Sequence, residues 1–168
     1  MTKVSLLLAL ALVVGLPGAA LAIMDDERPP AGDPDYAAGV AAFEREDWRG
    51  VIEIMERVVA QKPWHDDAYT RLGFAYRKQG DYERSLQAYD RALTLNPHHR
   101  GALEYLGEAY LEMGRPGDAQ AMLDRLADAC RRVAGDGNDW QGACEEWQDL
   151  RAALDAHPAD REPAGATQ

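Results

Sequence analysis

The chain has 168 residues, room for one domain with appendages, and sets 29 acidic against 18 basic residues for a net charge of −11. That balance argues against a nucleic-acid binder, which needs a basic face to meet phosphates, and biases the chain towards basic or neutral partners. Ala, Leu, Arg, Glu and Asp dominate and β-branched residues are few, so helix is favoured throughout.

Met1–Ala22 reads as a signal peptide rather than part of the fold. Lys3 gives a basic start, and Val4–Leu16 is an apolar run of signal-core length, short for a membrane span. Pro17-Gly18 breaks it, and Ala20-Leu21-Ala22 offers small residues for cleavage after Ala22. An uncleaved anchor is the alternative. The reading implies a mature protein that is exported, periplasmic or secreted, with no stable membrane insertion. Ile23–Gly32 is rich in Asp, Pro and Gly and reads as a flexible lead-in.

From there the pattern is periodic. Gly39, Gly73 and Gly107 stand at identical spacing, and so do Glu46-Asp47, Gly80-Asp81 and Gly114-Arg115. A Gly inside a helix costs roughly 1 kcal/mol against Ala, so three in register suggest a shared reason, the close approach of two helices in a hairpin. In the turn column Gly ends one helix and Asp caps the next. Trp48, Tyr82 and Pro116 then open the second helix. Val51, Ser85 and Ala119, then Met55, Tyr89 and Leu123, then Val58, Ala92 and Leu126 continue it in register. Pro63 and Pro97 close the first two units. Each hairpin leaves one face apolar, which stacking on a neighbour buries, so about three units are needed for stability.

The best-formed unit, Asp66–His99, carries Tyr69, Leu72-Gly73, Tyr76, Ser85 in an alanine column, Tyr89, Ala92 and Pro97. It resembles the tetratricopeptide repeat, a helix–turn–helix unit with these residues at fixed spacing. The first unit, about 32–65, departs from the pattern at Asp35 and Ala42, where aromatics are usual. The third, about 100–131, has Arg131 where the closing Pro would stand. The resemblance implies an all-α fold: a right-handed superhelical stack of three helical hairpins over 33–131, closed by a capping helix.

Past Leu126 the register is lost. Ala127–Arg132 continues the helix, and Ala134–Asp139 is a turn-rich loop. Ala143–Ala156 reads as the cap, with Trp147, Leu150 and Leu154 on its apolar face and Glu145, Glu146, Asp149 and Arg151 facing water. His157-Pro158 ends it, and 157–168 reads as a disordered tail. Cys130 and Cys144 bracket the loop. Their even number, their position and the reading of export favour a structural disulfide over two free thiols or a redox-active pair.

The resemblance also implies where a partner would sit. The first helix of each repeat lines a concave face that binds extended or helical segments of other proteins. On this chain that face would carry Tyr36, Val40, Phe43 and Glu44, then Asp67, Thr70, Phe74, Arg77 and Lys78, then Glu104, Glu108, Leu111 and Glu112. Such a groove runs from aromatic through basic to acidic, and its polarity could orient an amphiphilic peptide. The charged residues read equally as solvated helix surface, and Phe74 as inter-repeat core. Glu104 and Glu108 oppose the carboxylate-clamping subtype of the family, which places basic and amide side chains there.

No phosphate loop, nucleophile elbow or metal motif is present in the sequence. His65, His98 and His99 fall at repeat junctions and read as loop polar residues, and no cofactor or metal is called for. The reading is an exported, non-enzymatic adaptor for a protein or peptide in the cell envelope, in the assembly of an envelope complex. The alternatives are a self-associating homo-oligomer and a thiol-redox accessory protein.

Overall fold

Local chemistry sets the helix boundaries. The computed structural model describes residues 33–134 and 140–157, all within the unit Ala31–Gln168. Among these are seven helices and no strand: α1 (Pro34–Glu44), α2 (Trp48–Gln61), α3 (Asp66–Lys78), α4 (Tyr82–Leu95), α5 (Arg100–Glu112), α6 (Pro116–Ala134) and α7 (Glu145–Ala156). The expected signal peptide and lead-in through Gly32, the loop core 135–139 and the expected tail from Pro158 lie outside the described residues.

Asp47 and Asp81 cap α2 and α4, accepting from the backbone N–H of Gly50 at 3.0 Å and of Arg84 at 3.1 Å. At α3 and α5 the cap is a histidine. Nδ1 of His65 accepts from Ala68 N–H at 3.3 Å, and Nδ1 of His99 accepts from Ala102 N–H at 3.2 Å. This role fixes the tautomer, because an accepting Nδ1 leaves the proton on Nε2. The Nε2 of His99 then donates to Asp67 Oδ1 at 3.0 Å. Their places at the repeat junctions suggest loop polar groups, but His65 and His99 are helix caps in successive repeats.

Within each hairpin the second helix returns along the first. The link is a residue in the left-handed region: Glu46 at φ 56°, Gly80 at φ 76° and Gly114 at φ 69°. Glycine takes that conformation without steric cost, whereas Glu46 does not. The glycine column has the packing role its spacing suggests, with one change of partner. A Cβ on Gly39 would meet Met55 Cε at 2.5 Å, and one on Gly73 would meet Tyr89 Cε1 at 2.7 Å, each on the second helix of its own hairpin. A Cβ on Gly107 would instead meet Leu150 Cδ2 at 2.5 Å, on the cap. Ser85, standing in the alanine column, uses its hydroxyl to donate to the Gly73 carbonyl at 2.8 Å, which ties α4 to α3.

The core falls into two clusters, which divide within the second hairpin. Val51, Met55, Val58, Leu72 and Tyr76 are buried where α2 packs on α3. Tyr89, Leu103, Leu106, Leu123, Leu126, Leu150 and Leu154 form the second cluster, from α4 through α5, α6 and α7. The cap packs on both α5 and α6. Leu150 and Leu154 are buried, and Trp147 packs edge to face with Trp140, ring centroids 5.2 Å apart. Glu146, expected in water, is half-buried and paired with Arg100 at 3.4 Å. The Cα atoms of Cys130 and Cys144 are 6.0 Å apart and their sulfurs are at bonding distance.

Candidate functional site: the inner face of the repeats

The first helices of the three hairpins, α1, α3 and α5, share one face. Phe43 from α1 lies 4.9 Å from Phe74 of α3, and Phe74 lies 4.8 Å from Tyr105 of α5, measured between ring centroids. Trp48, which opens α2, joins them at 5.3 Å from Phe43 and 5.4 Å from Phe74. All four rings are half-buried, so each gives one side to the stack and leaves part open. Phe74 therefore is both inter-repeat core and groove surface. Trp48 and Tyr105 were not among the residues the sequence nominated. Tyr105 lies one residue beyond the expected Glu104, and Trp48 belongs to a second helix, outside the columns considered.

Cations cover much of this aromatic surface. Arg71 stands 5.7 Å from the Tyr36 ring centroid and 5.1 Å from that of Phe43, and its Nε donates to the Tyr36 hydroxyl at 3.1 Å. Arg77 and Lys78 lie 4.8 and 5.1 Å from the Phe74 centroid. Arg77 is the centre of the arrangement. Its side chain is only 3% exposed and its NH1 pairs with Glu108 at 2.7 Å and Glu112 at 3.4 Å. Burial penalises the charge, but Tyr89, Glu108 and Glu112 outweigh it and hold the guanidinium pKa above its ordinary value. The basic middle expected of the groove is thus largely an internal ion pair, with Lys78 the exposed cation beside it.

Other expected groove residues divide between surface and interior. Tyr36, Val40, Phe43, Phe74 and Glu108 are half-buried; Glu44, Asp67, Lys78 and Glu112 are exposed. Thr70, Leu111 and Glu104 are buried at 5%, 8% and 8% exposure. Thr70 donates to the Asp66 carbonyl at 3.0 Å. Glu104 is packed where α5 meets α7. Burial, then the charges of Glu108, Asp149 and Glu146, push its pKa up to about 8. These three residues differ from an open groove wall because side-chain period alone does not reveal which neighbour a helix will cover.

Two open pockets flank the aromatic stack. One, about 440 Å³, is lined by Phe43, Glu44, Glu46, Trp48, Phe74 and Lys78. The other, about 410 Å³, is lined by Arg77, Lys78, Glu108, Leu111, Glu112, Ala153 and His157. Both have the size of a side-chain pocket, and Lys78 borders both. Elsewhere, His65, Asp66 and Asp67 bring potential metal-ligand atoms within 4.8 Å of one another. Their atoms already serve the repeat junction: His65 caps α3, Asp66 accepts from Asn96 at 2.8 Å and Asp67 pairs with His99.

Helical hairpins stacked in register, with their first helices sharing an aromatic and charged face, define a helical-repeat solenoid. Residues 66–99 and 102–130 match family models described as tetratricopeptide repeat, so the second and third hairpins are tetratricopeptide repeats. No curated protein matches it. Among solved structures it is similar to the crystal structure of MamA, with a TM-score of 0.56 and 24% identity over 60% of this chain and 58% of that one. It is similar also to MamA MSR-1 C2, with a TM-score of 0.56 and 18% identity over 60% of this chain and 57% of that one. The TPR2B domain of yeast Sti1, solved in a complex with pHsp70, gives a TM-score of 0.63 and 15% identity over 72% of this chain and 93% of that one. The chain spans under three fifths of either MamA structure. At these identities the likeness is one of fold.

Proposed function

We propose that this chain is a non-catalytic interaction scaffold that holds a segment of another protein against the inner face of α1, α3 and α5. The carrying observation is the stack Phe43–Trp48–Phe74–Tyr105, half-buried and flanked by two open pockets. Partly open aromatic surface of this kind supplies binding hot spots. The solved complex of the Sti1 domain supports the same use of the fold. Export and a role in assembling an envelope complex belong to the proposal too. The apolar run Val4–Leu16, the small residues Ala20-Leu21-Ala22 and the paired Cys130 and Cys144 support them.

The test is in-cell cross-linking from a photoreactive residue at Phe74 or Lys78, with one at Gln87 on α4 as control. The groove probes are expected to capture a discrete partner that the Gln87 probe does not. Capture of the same partner from Gln87, with none from the groove, would falsify the reading. A cross-link to a second copy of the chain would replace the partner with self-association. Sequencing the N-terminus of the exported protein tests cleavage, which should leave Ile23 first.

A further inference from the structure

The charge left available on the inner face is not the one its sequence suggests. Arg77 is buried and its NH1 is engaged by Glu108 and Glu112. Arg71 is stacked over Tyr36 and Phe43, bonded to the Tyr36 hydroxyl, and borders neither pocket. Of the charged groups that do border the two pockets, Glu44, Glu46, Glu108 and Glu112 face Arg77 and Lys78, with His157 at one edge. The carboxylates also keep access to solvent. Glu44 and Glu46 are exposed, and the side chains of Glu108 and Glu112 are 29% and 41% exposed. The result is an aromatic centre between two acidic flanks, one from the first repeat and one from the third.

We propose that this face selects a cationic segment, one that lays a large apolar or aromatic side chain on the Phe43–Trp48–Phe74 rings and sets Lys or Arg side chains against Glu44 and Glu46 on one flank and Glu108 and Glu112 on the other. The inference rests on the scaffold reading and adds the chemistry of the partner. An acidic segment would meet repulsion from Glu44 and Glu46 and from the carboxylate charge that Arg77 leaves unbalanced at Glu108 and Glu112, with Lys78 to offset part of it. A purely apolar segment would desolvate the flanking carboxylates without replacing their water. A cationic one satisfies both, and its steering would weaken with salt.

The experiment pans a displayed library of random dodecapeptides on the full mature protein. Enriched peptides are then measured by fluorescence anisotropy against wild type, Glu44→Lys/Glu46→Lys, Glu112→Gln and Phe74→Ala, each checked for folding by circular dichroism. The expected consensus pairs an aromatic or large apolar residue with Lys or Arg. Affinity should fall about tenfold in the double charge variant and on raising salt from about 0.05 to about 0.5 M. Glu112→Gln should weaken binding in the same direction, and Phe74→Ala should weaken it as well. Enrichment of acidic peptides, or affinity indifferent to both charge variants and to salt, would overturn the cationic inference; if Phe74→Ala still weakens binding, the groove reading survives. Binding indifferent to Phe74→Ala as well would remove both. A library that yields no consensus overturns the inference, while the cross-link from Lys78 continues to test the scaffold separately.

Discussion

Glu104 stands one helical turn from Arg100 and from Glu108 on α5, yet it is 8% exposed and faces Glu146 and Asp149 of α7. Its pKa of about 8 in the folded chain exceeds the ordinary glutamate value of 4.5. The folded state therefore holds the proton more tightly than the unfolded one. That contribution to stability is complete below about pH 4.5 and is lost as the pH rises to about 8, by roughly 1 kcal/mol per pH unit. Asp33, Asp66 and Asp81 have lowered pKa values and act the opposite way, their contributions being lost only as the pH falls below the usual carboxylate range. Urea titrations from pH 5 to pH 9 should show wild type weakening across this window and Glu104→Gln much less so. Parallel curves for the two proteins would mean that Glu104 is not the group responsible. Glycine offers a second test at this scale. Ala at Gly73 gains about 1 kcal/mol of helix propensity but drives a Cβ to 2.7 Å from the fully buried Tyr89 ring, an overpacking that costs about 1–3 kcal/mol. Ala at Gly117 meets nothing within 4 Å and keeps the propensity gain. The urea midpoint should fall for Gly73→Ala and hold or rise for Gly117→Ala; a rise for both would show that the Tyr89 ring gives way.

Among the elements, α7 departs most from repetition. It packs on the first helix of the third hairpin as well as on the second, and its Leu150 takes the space over Gly107. In the first two hairpins the equivalent space holds Met55 and Tyr89 of the hairpin's own second helix. Leu150 is fully buried, so Leu150→Ala should cost about 3 kcal/mol through lost burial and the cavity left behind. The loss should begin at the cap. Fluorescence of Trp140 and Trp147, which stack at the α7 end, should change at lower denaturant than far-UV circular dichroism. Coincident transitions would show the cap and the repeats to be one cooperative unit. This element also marks how far the sequence reaches. The hairpins were legible because Gly, turn and apolar columns recur in phase, and the apolar stripe of α7 was legible from Trp147, Leu150 and Leu154. The burial of Glu104 and the pairing of Glu146 with Arg100 were not, because they depend on the angle at which α7 crosses α5. Arg77 read as groove surface because its partners Glu108 and Glu112 lie about a full repeat away in sequence.

The stack is built from contacts between elements close along the chain, because each helix packs on the next or on the next but one. Stability in such an array is close to a sum of unit and interface terms, and a weakened end loosens before the middle. Cys130 and Cys144 would therefore act locally. A bridge between them would close a loop over a sequence separation of 14, for which the chain-entropy model gives about 3 kcal/mol. Reduction should lower amide-exchange protection in α7 and in the last turns of α6, next to the two cysteines. The buried amides of α3 and α4 are joined by the Ser85–Gly73 hydrogen bond and packed by Tyr89, and they should keep theirs. The measurement is hydrogen–deuterium exchange with and without reductant, alongside alkylation of the unreduced protein. Two alkylatable thiols before reduction would remove the bridge, and an equal loss of protection from α1 to α7 would remove the local action. If protection falls only at the cap, any affinity lost on reduction should come from the pocket that Ala153 and His157 help to line, while the contact with Phe43, Trp48 and Phe74 should persist. In that case the cap closes the end of the stack and completes one flank of the site, while the aromatic contact belongs to the repeats.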